Sequence, residues 1–232
     1  MGLFNVYTVS NAYRSDYFQY LSEQWANDTD EFTGAWNRSS DSLITRVKTD
    51  TDMPKAAMVV PANQTARLRT IFTFRATPSK FSASDATSMV RGMYVEWEAK
   101  FTSVANVDNS ATFMGLNASA SATRATTNLI GFGLNNDQLI AITDNAGTET
   151  VTSDLGFNAS ALTNRNLYRI TVTGNQVEFS VNGNMVATHT TNIPDIIGYL
   201  QYYLDTQGGG SSTLDIGFVH VFYRGIEDTR SF

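Results

Sequence analysis

Residues 167–189, LYRITVTGNQVEFSVNGNMVATH, alternate apolar and polar side chains in three short runs that two tight turns separate. The period of two is clearest in residues 168–173 and 177–181. Gly174-Asn175 and Asn182-Gly183 supply the positive φ angles that two-residue hairpin turns require. The stretch therefore predicts three antiparallel strands, each of which buries one face.

The same alternation recurs along most of the chain. Strands are predicted over residues 43–47, 57–60, 66–75, 93–101, 111–116, 127–133, 138–143, 147–152, 198–205 and 212–224. The segment 104–126 is small and polar, which predicts a long loop with a weak strand inside it. Short strands at even spacing are typical of an antiparallel sandwich or barrel, and we assign residues 30–232 to one such domain.

Residues 1–29 differ from the rest because aromatic side chains crowd into them. Tyr17, Phe18 and Trp25 lie at roughly helical spacing, and Ser15 could cap such a helix. The segment is predicted to be a short helix or an extended arm. Its apolar face would pack either on its own domain or on a neighbouring subunit, so Tyr13, Tyr17, Phe18 and Trp25 are candidate contact residues.

Composition narrows the function classes. The 232 residues include no cysteine, so disulfides and thiolate metal sites are excluded. The net charge of −6 argues against nucleic-acid binding. No window approaches the roughly 18 apolar residues of a membrane span, so we expect no membrane partner.

Three segments resemble concanavalin A-like jelly-roll sandwiches, which include laminin-G-like and glucanase-like domains. They are DEFTGAWN (30–37), NLYRITVTGNQVEFSVNGNMVATHTTNIP (166–194) and LDIGFVHVFY (214–223). The version that contains ATHTTNIP is similar to structural proteins of tailed-phage virions. The resemblance covers about residues 30–224 and implies an all-β, antiparallel two-sheet jelly roll.

The resemblance also raises the question of glycosidase activity. Retaining glycosidases place two carboxyl groups about 5–5.5 Å apart, and the laminarinase-type members carry Glu-x-Asp-x-Glu or Glu-x-Asp-x-x-Glu on one strand. Here Glu96 and Glu98 share a strand face, but Lys100 or Phe101 replaces the third acid. We therefore expect no enzyme, and we expect Lys100 to offset the repulsion between the two glutamates.

Histidine and aspartate patterns suggest no catalytic or metal centre. His189 and His220 each fall inside a predicted strand, where a hydrogen-bonded structural role is expected. Calcium at an Asp-rich rim is a minor alternative to solvated loops. Its candidates are Asp28, Asp30, Glu31, Asp50, Asp52, Asp137 and Asp144.

Two surfaces are candidates for contact with a partner. Arg67, Arg69 and Arg75 form a basic stripe that is either a solvated face or a contact for an acidic neighbour, such as a capsid surface or an anionic glycan. Tyrosines 199, 202, 203 and 223 could stack on sugars or lie buried. Alternation places Tyr199, Gln201 and Tyr203 on one face.

These observations lead to a non-enzymatic structural virion protein as the expected function. It would be a capsid decoration protein or another head or tail component. It would contact other virion proteins and copies of itself. A lectin-like module that binds a glycan is the alternative.

Overall fold

Two antiparallel sheets make up the fold, as the sequence predicts. The computed structural model describes residues 17–23, 36–39, 43–47, 54–71, 74–76, 90–119, 124, 128–207 and 209–225. The first eight strands are β1 Tyr17–Glu23, β2 Trp36–Arg38, β3 Ile44–Val47, β4 Lys55–Val60, β5 Thr65–Thr70, β6 Phe74–Ala76, β7 Val90–Phe101 and β8 Phe113–Asn117. The elements that follow are β9 Leu129–Asn135, β10 Gln138–Asn145, β11 Thr148–Thr152, α1 Ala159–Leu162, β12 Asn166–Thr173, β13 Gln176–Val181, β14 Asn184–His189, β15 Ile196–Asp205 and β16 Ser212–Gly225.

Strand order separates the two sheets. The β7 sheet runs β14-β13-β12-β7-β16-β4-β3, and β1 adds to β16. The β15 sheet runs β11-β10-β9-β8-β15-β5-β2, and β6 adds to β15. The long strands β7, β16 and β15 lie inside their sheets, where both edges can form hydrogen bonds. This is the antiparallel jelly-roll sandwich expected from the sequence.

The core lies between the two sheets because inward side chains alternate with outward ones. Met93, Val95 and Trp97 of β7 are fully buried, whereas the residues between them are half-buried. Trp97 packs between the sheets: its ring centroid lies 5.7 Å from that of Tyr168 and 5.8 Å from that of Tyr202. Apolar burial of this kind is the main source of stability in a chain that has no disulfides.

The helical alternative for the N-terminal segment is wrong over residues 17–23, which form the strand β1. β1 pairs with residues 219–224 of β16, and β4 pairs with residues 212–216. The free edge of β16 supplies backbone hydrogen bonds that a short isolated helix would lack. Tyr13 and Trp25 lie outside the described residues, and the division of the chain at residue 30 stays a prediction.

Two other predictions need correction. The segment 104–126 contains β8, whose five residues are all buried, rather than a weak strand in a loop. The predicted strand 66–75 is two strands, because β5 ends at Thr70 and β6 begins at Phe74. Arg75 therefore belongs to a different strand from Arg67 and Arg69.

The one helix among the described residues, α1, has four residues. No helix in this part of the chain has the length and apolar composition needed to cross a bilayer.

Candidate functional site

The outer face of the β15 sheet gathers polar side chains from three neighbouring strands. Cross-strand pairing aligns Arg67 with Tyr203 and Arg69 with Gln201. It also aligns Tyr199 with Asn117. We call this set the arginine–tyrosine face, and its members are Arg67, Arg69, Asn117, Tyr199, Gln201 and Tyr203.

Alternation along β15 separates this face from the core, as the sequence predicts. Leu200, Tyr202 and Leu204 point inward and are fully buried in the core. Tyr199 and Tyr203 project from the opposite side of the sheet, where Tyr199 is half-buried, Tyr203 is 9% exposed, and Gln201 and Asn117 are fully buried. Tyr202 therefore cannot stack on a sugar. Tyr223 is also 9% exposed and packs in the core.

The two arginines of the face are half-buried and close to each other. Among the described residues, neither forms an ion pair with a carboxylate. Burial lowers the pKa of Arg67, and the neighbouring positive charge of Arg69 lowers it further. The face therefore brings two positive charges together, and neither is ion-paired with a described acid, although Asp205 lies near Tyr203.

Arg69 lies against Tyr199. Its guanidinium carbon is 4.7 Å from the centroid of the Tyr199 ring, a cation–π distance. Its Nη1 donates to the carbonyl oxygen of Thr70 at 3.0 Å. These two contacts hold the guanidinium plane beside a half-exposed aromatic ring, a rigid arrangement for contact with a ligand.

Three nitrogen donors of the face are shielded from solvent. They are Nε of Arg67, Nε of Arg69 and Nδ2 of Asn117, and none has a hydrogen-bond partner within the described part of the chain. The other amide atom of Asn117, Oδ1, accepts from the backbone N–H of Ser119 at 2.9 Å. Buried donors without a partner cost about 1–3 kcal/mol each, so such a cluster calls for an explanation.

Burial also affects the tyrosine hydroxyls around the face. The pKa of Tyr203 is raised chiefly by burial, and a hydrogen bond with Thr65 opposes that shift. The negative charge of Asp205 raises it further, whereas the positive charge of Arg67 lowers it. A tyrosine hydroxyl is protonated at neutral pH even at its ordinary pKa of about 10, and the raised pKa leaves Tyr203 a hydrogen-bond donor over a wider pH range.

An apolar cluster borders the arginine–tyrosine face on the same side of the sheet. Phe113, Leu129, Ile140 and Ile142 are fully buried there. Beside them Arg124 donates from Nη1 to the carbonyl oxygens of Asn109, at 2.9 Å, and Leu134, at 2.7 Å. The polar side chains of the arginine–tyrosine face therefore lie on β5, β15 and the end of β8, beside this apolar cluster.

The outer face of the β7 sheet carries the two glutamates considered for catalysis. Glu96 forms an ion pair with Arg169, and Glu98 forms one with Arg165. Lys100 instead lies 3.8 Å from Asp215. The expected compensation by Lys100 is therefore wrong. The cross-strand neighbour of Glu96 is Arg169 and that of Lys100 is Asp215, so register decides the partners.

Half-buried aromatic side chains lie next to these ion pairs. The Tyr94 and Phe222 rings stack with centroids 4.6 Å apart, and Phe218 lies 4.8 Å from His220. Burial lowers the pKa of His220, although the negative charge of Glu96 raises it. We call the set Tyr94, Phe218, His220 and Phe222 the aromatic strip.

His189 has the structural role predicted for it. It is 2% exposed, and its ring nitrogens Nδ1 and Nε2 each lie 3.0 Å from a threonine hydroxyl, those of Thr143 and Thr152. Because β14 and β11 are edge strands of different sheets, this side chain ties two sheet edges together. Burial lowers its pKa, so the neutral ring is favoured.

The structure assigns backbone positions to three further candidates. Tyr17 pairs with Arg224 and Phe18 pairs with Tyr223 in the β7 sheet. Arg75 pairs with Ile197 of β15, four residues along the strand from Gln201. Their roles as contact residues stay predictions.

The described residues do not bring the predicted calcium ligands together. No cluster of three or more His, Cys, Asp or Glu side chains with metal-site geometry occurs in the described ranges. Asp144 accepts hydrogen bonds from the backbone N–H groups of Asn128 and Gly147, at 3.3 and 2.8 Å. Asp137 accepts one from Asn109 at 3.1 Å. The remaining candidates, Asp28 to Glu31 and Asp50 and Asp52, lie outside those ranges.

Comparison with known proteins gives matches in structure alone: no protein-family model and no curated protein sequence matches the chain. A Bacillus licheniformis beta-glucanase is 15% identical, with a TM-score of 0.58, covering 89% of this chain and 98% of its own. A structure of botulinum neurotoxin type C is 11% identical, with a TM-score of 0.57, and 90% of this chain matches 48% of it. An alginate lyase in complex with dimannuronate is 11% identical, with a TM-score of 0.51, covering 75% of this chain and 76% of its own.

These matches correct the expectation that the chain is not an enzyme. Several further matches of the same fold are glycosidases, including family 16 endo-glucanases from Bacteroides ovatus. The expectation rested on the incomplete acidic triplet at Glu96, Glu98 and Lys100 and on the absence of a catalytic pattern around His189 and His220. At these identities the comparisons establish the fold, and the chain has the concanavalin A-like jelly-roll sandwich found in family 16 glycoside hydrolases.

Proposed function

We propose that this protein binds carbohydrate on the arginine–tyrosine face. The observation that carries the proposal is the cluster of shielded donors on Arg67, Arg69 and Asn117 beside the half-exposed ring of Tyr199. A sugar offers partners to both features, because its hydroxyl oxygens can accept from the half-buried guanidinium groups of Arg67 and Arg69 and its apolar C–H faces can pack on the Tyr199 ring.

The chemistry of the face fits this ligand class. Binding sites for small molecules combine apolar and aromatic surface with a few placed polar groups. Here the aromatic surface comes from Tyr199, whose ring Arg69 holds in place at 4.7 Å. The polar groups come from adjacent strands, and strands position side chains more rigidly than loops do.

The descriptions that similar structures carry support the same class of ligand. They name a beta-glucanase, an alginate lyase in complex with dimannuronate, and a neurotoxin whose cell entry depends on two ganglioside molecules. Each acts on or depends on a molecule that contains sugar. A jelly-roll sandwich of this shape is therefore compatible with glycan recognition.

A glycan panel with a tyrosine variant tests the proposal. We expect at least one oligosaccharide to bind the wild-type protein in calorimetry. Tyr199→Ala should weaken that binding about two- to tenfold, since an aromatic contact contributes roughly 0.5–1.5 kcal/mol. Tyr94→Ala is the matched control, because Tyr94 is a half-buried tyrosine on the outer face of the other sheet. No binding across the panel, or equal effects of the two variants, would refute the proposal.

We also propose, as a second function, that the aromatic strip docks a protein, as a role in a virion would require. The stacked Tyr94 and Phe222 rings and the half-buried Phe218 favour this, because aromatic residues are enriched in protein interfaces. The partner would be a capsid or tail protein or a second copy of this chain. We expect the wild-type protein to co-sediment with phage particles and Phe218→Ser to abolish this co-sedimentation. Wild-type protein that stays in the supernatant would exclude a role of the aromatic strip in docking to phage particles.

A further inference from the structure

We infer that the sugar bound by the arginine–tyrosine face carries negative charge, as a carboxylate or a sulfate group. This inference rests on the proposed function, because it concerns the ligand of the same site.

Of the four shielded side-chain atoms of the face, Oε1 of Gln201 is an acceptor, and the other three, Nε of Arg67, Nε of Arg69 and Nδ2 of Asn117, are hydrogen-bond donors. A ligand that satisfies them must supply acceptor oxygens. Two of the donors belong to guanidinium groups, which form shorter and stronger hydrogen bonds with anionic oxygens than with neutral ones. A carboxylate or a sulfate presents several such oxygens from one group, whereas each hydroxyl presents one.

Cations on the outer face of the other sheet are paired with carboxylates, which provides a comparison for Arg67 and Arg69. On the outer face of the β7 sheet, four cationic side chains each lie beside a carboxylate. The pairs are Lys55 with Asp215 at 2.9 Å, Lys100 with Asp215 at 3.8 Å, Arg165 with Glu98, and Arg169 with Glu96. The arginine–tyrosine face differs, since Arg67 and Arg69 form no ion pair within the described residues.

The closeness of Arg67 and Arg69 also favours an anionic ligand. They project from the same face of β5, two residues apart, and the positive charge of Arg69 lowers the pKa of Arg67. An anion between them would relieve that repulsion, whereas a neutral sugar would not. The chain as a whole is acidic, with a net charge of −6, so general attraction of anions to the protein cannot supply this effect.

Matched polymers test the charge directly in the wild-type protein. Polygalacturonate is compared with its methyl ester, which has the same backbone without the charge, and dextran sulfate is compared with dextran. We expect one or both anionic polymers to bind at least tenfold more tightly than their neutral partners, and more weakly as salt rises. The two pairs distinguish a carboxylate ligand from a sulfate ligand.

Two double variants locate the effect. Arg67→Gln with Arg69→Gln is expected to weaken binding of the anionic polymer more than tenfold. Arg165→Gln with Arg169→Gln changes the net charge by the same amount on the other sheet, and its affinity should stay within twofold of wild type. Arg67→Lys with Arg69→Lys keeps the charge but removes the Nε donors, so binding should be intermediate. Circular dichroism and thermal melting check that each variant folds.

The outcomes separate this inference from the proposed function. If neutral and anionic polymers bind equally and Tyr199→Ala weakens both, carbohydrate binding stands and the inference about charge is overturned. Equal losses in the two glutamine double variants would also overturn it, because the attraction would then be unspecific. If no glycan of either kind binds, the proposed function fails as well.

Discussion

Individual side chains are placed by their cross-strand neighbours more than by their neighbours in sequence. Glu96 and Glu98 share a strand face with Lys100, yet neither has it as its ion-pair partner. Glu96 pairs with Arg169 of β12, and Glu98 pairs with Arg165, which directly precedes β12. Arg69 finds Tyr199, 130 residues away in sequence. A sequence pattern that assigns faces correctly therefore leaves open which charges meet.

A buried histidine makes stability depend on pH at the residue scale. Burial lowers the pKa of His189, so the folded state disfavours the proton that the unfolded chain accepts below about pH 6.5. The stabilising effect of the neutral ring is therefore complete above that pH and is lost as the pH falls below it. We expect the melting temperature of wild type to drop more between pH 7.5 and pH 5 than that of His189→Gln.

The same variant also reports on the hydrogen bonds of the ring. Loss of the contacts with Thr143 and Thr152 should cost about 1–3 kcal/mol at pH 7.5, since both hydroxyls lose a partner. Melting curves of wild type and variant at both pH values give the two effects separately. Parallel pH dependence of the two proteins would contradict the assigned role of His189.

Strands show how far sequence reasoning reaches. Period-two alternation predicts β12, β13 and β14 and the two faces of β15, because one face of each strand is buried. It fails for β1, since aromatic spacing there fits a helix and the free edge of β16 lies about 200 residues further along the chain. The arginine stripe was visible in the sequence, but the shielded donor of Asn117 required the register of β8 against β15.

Close packing between strands predicts unequal effects of two glycine substitutions. A Cβ at Gly131 of β9 would lie 2.5 Å from the carbonyl oxygen of Met114 and 2.5 Å from the Phe113 ring. A Cβ at Gly217 of β16 would meet the flexible Glu98 carboxylate at 2.8 Å. We expect Gly131→Ala to destabilise the fold by about 1–3 kcal/mol and Gly217→Ala by much less.

Thermal melting of the two glycine variants checks the strand packing, and Gly217→Ala is the internal control because both substitutions add one methyl group in a strand. Equal melting temperatures for Gly131→Ala and wild type would mean that β8 and β9 are further apart than described.

At the scale of the whole molecule, the two sheets offer chemically different outer faces around one aromatic core. The β7 sheet presents paired charges and the aromatic strip, whereas the β15 sheet presents cations without described acids beside Tyr199. The fold is common to many glycan-active proteins, but fold alone does not assign an activity. The different chemistry of the two faces is the reason we propose glycan binding on the β15 sheet.

The measurement that tests this assignment most directly is a backbone NMR titration of the full chain, first with oligogalacturonate and then with a sulfated dextran oligosaccharide. With at least one of the two ligands, we expect shift changes at Arg67, Arg69, Asn117 and Tyr199 that saturate together and are absent from Arg67→Gln with Arg69→Gln. Shift changes confined to the aromatic strip of the β7 sheet, or none with either ligand at any concentration, would contradict the assignment.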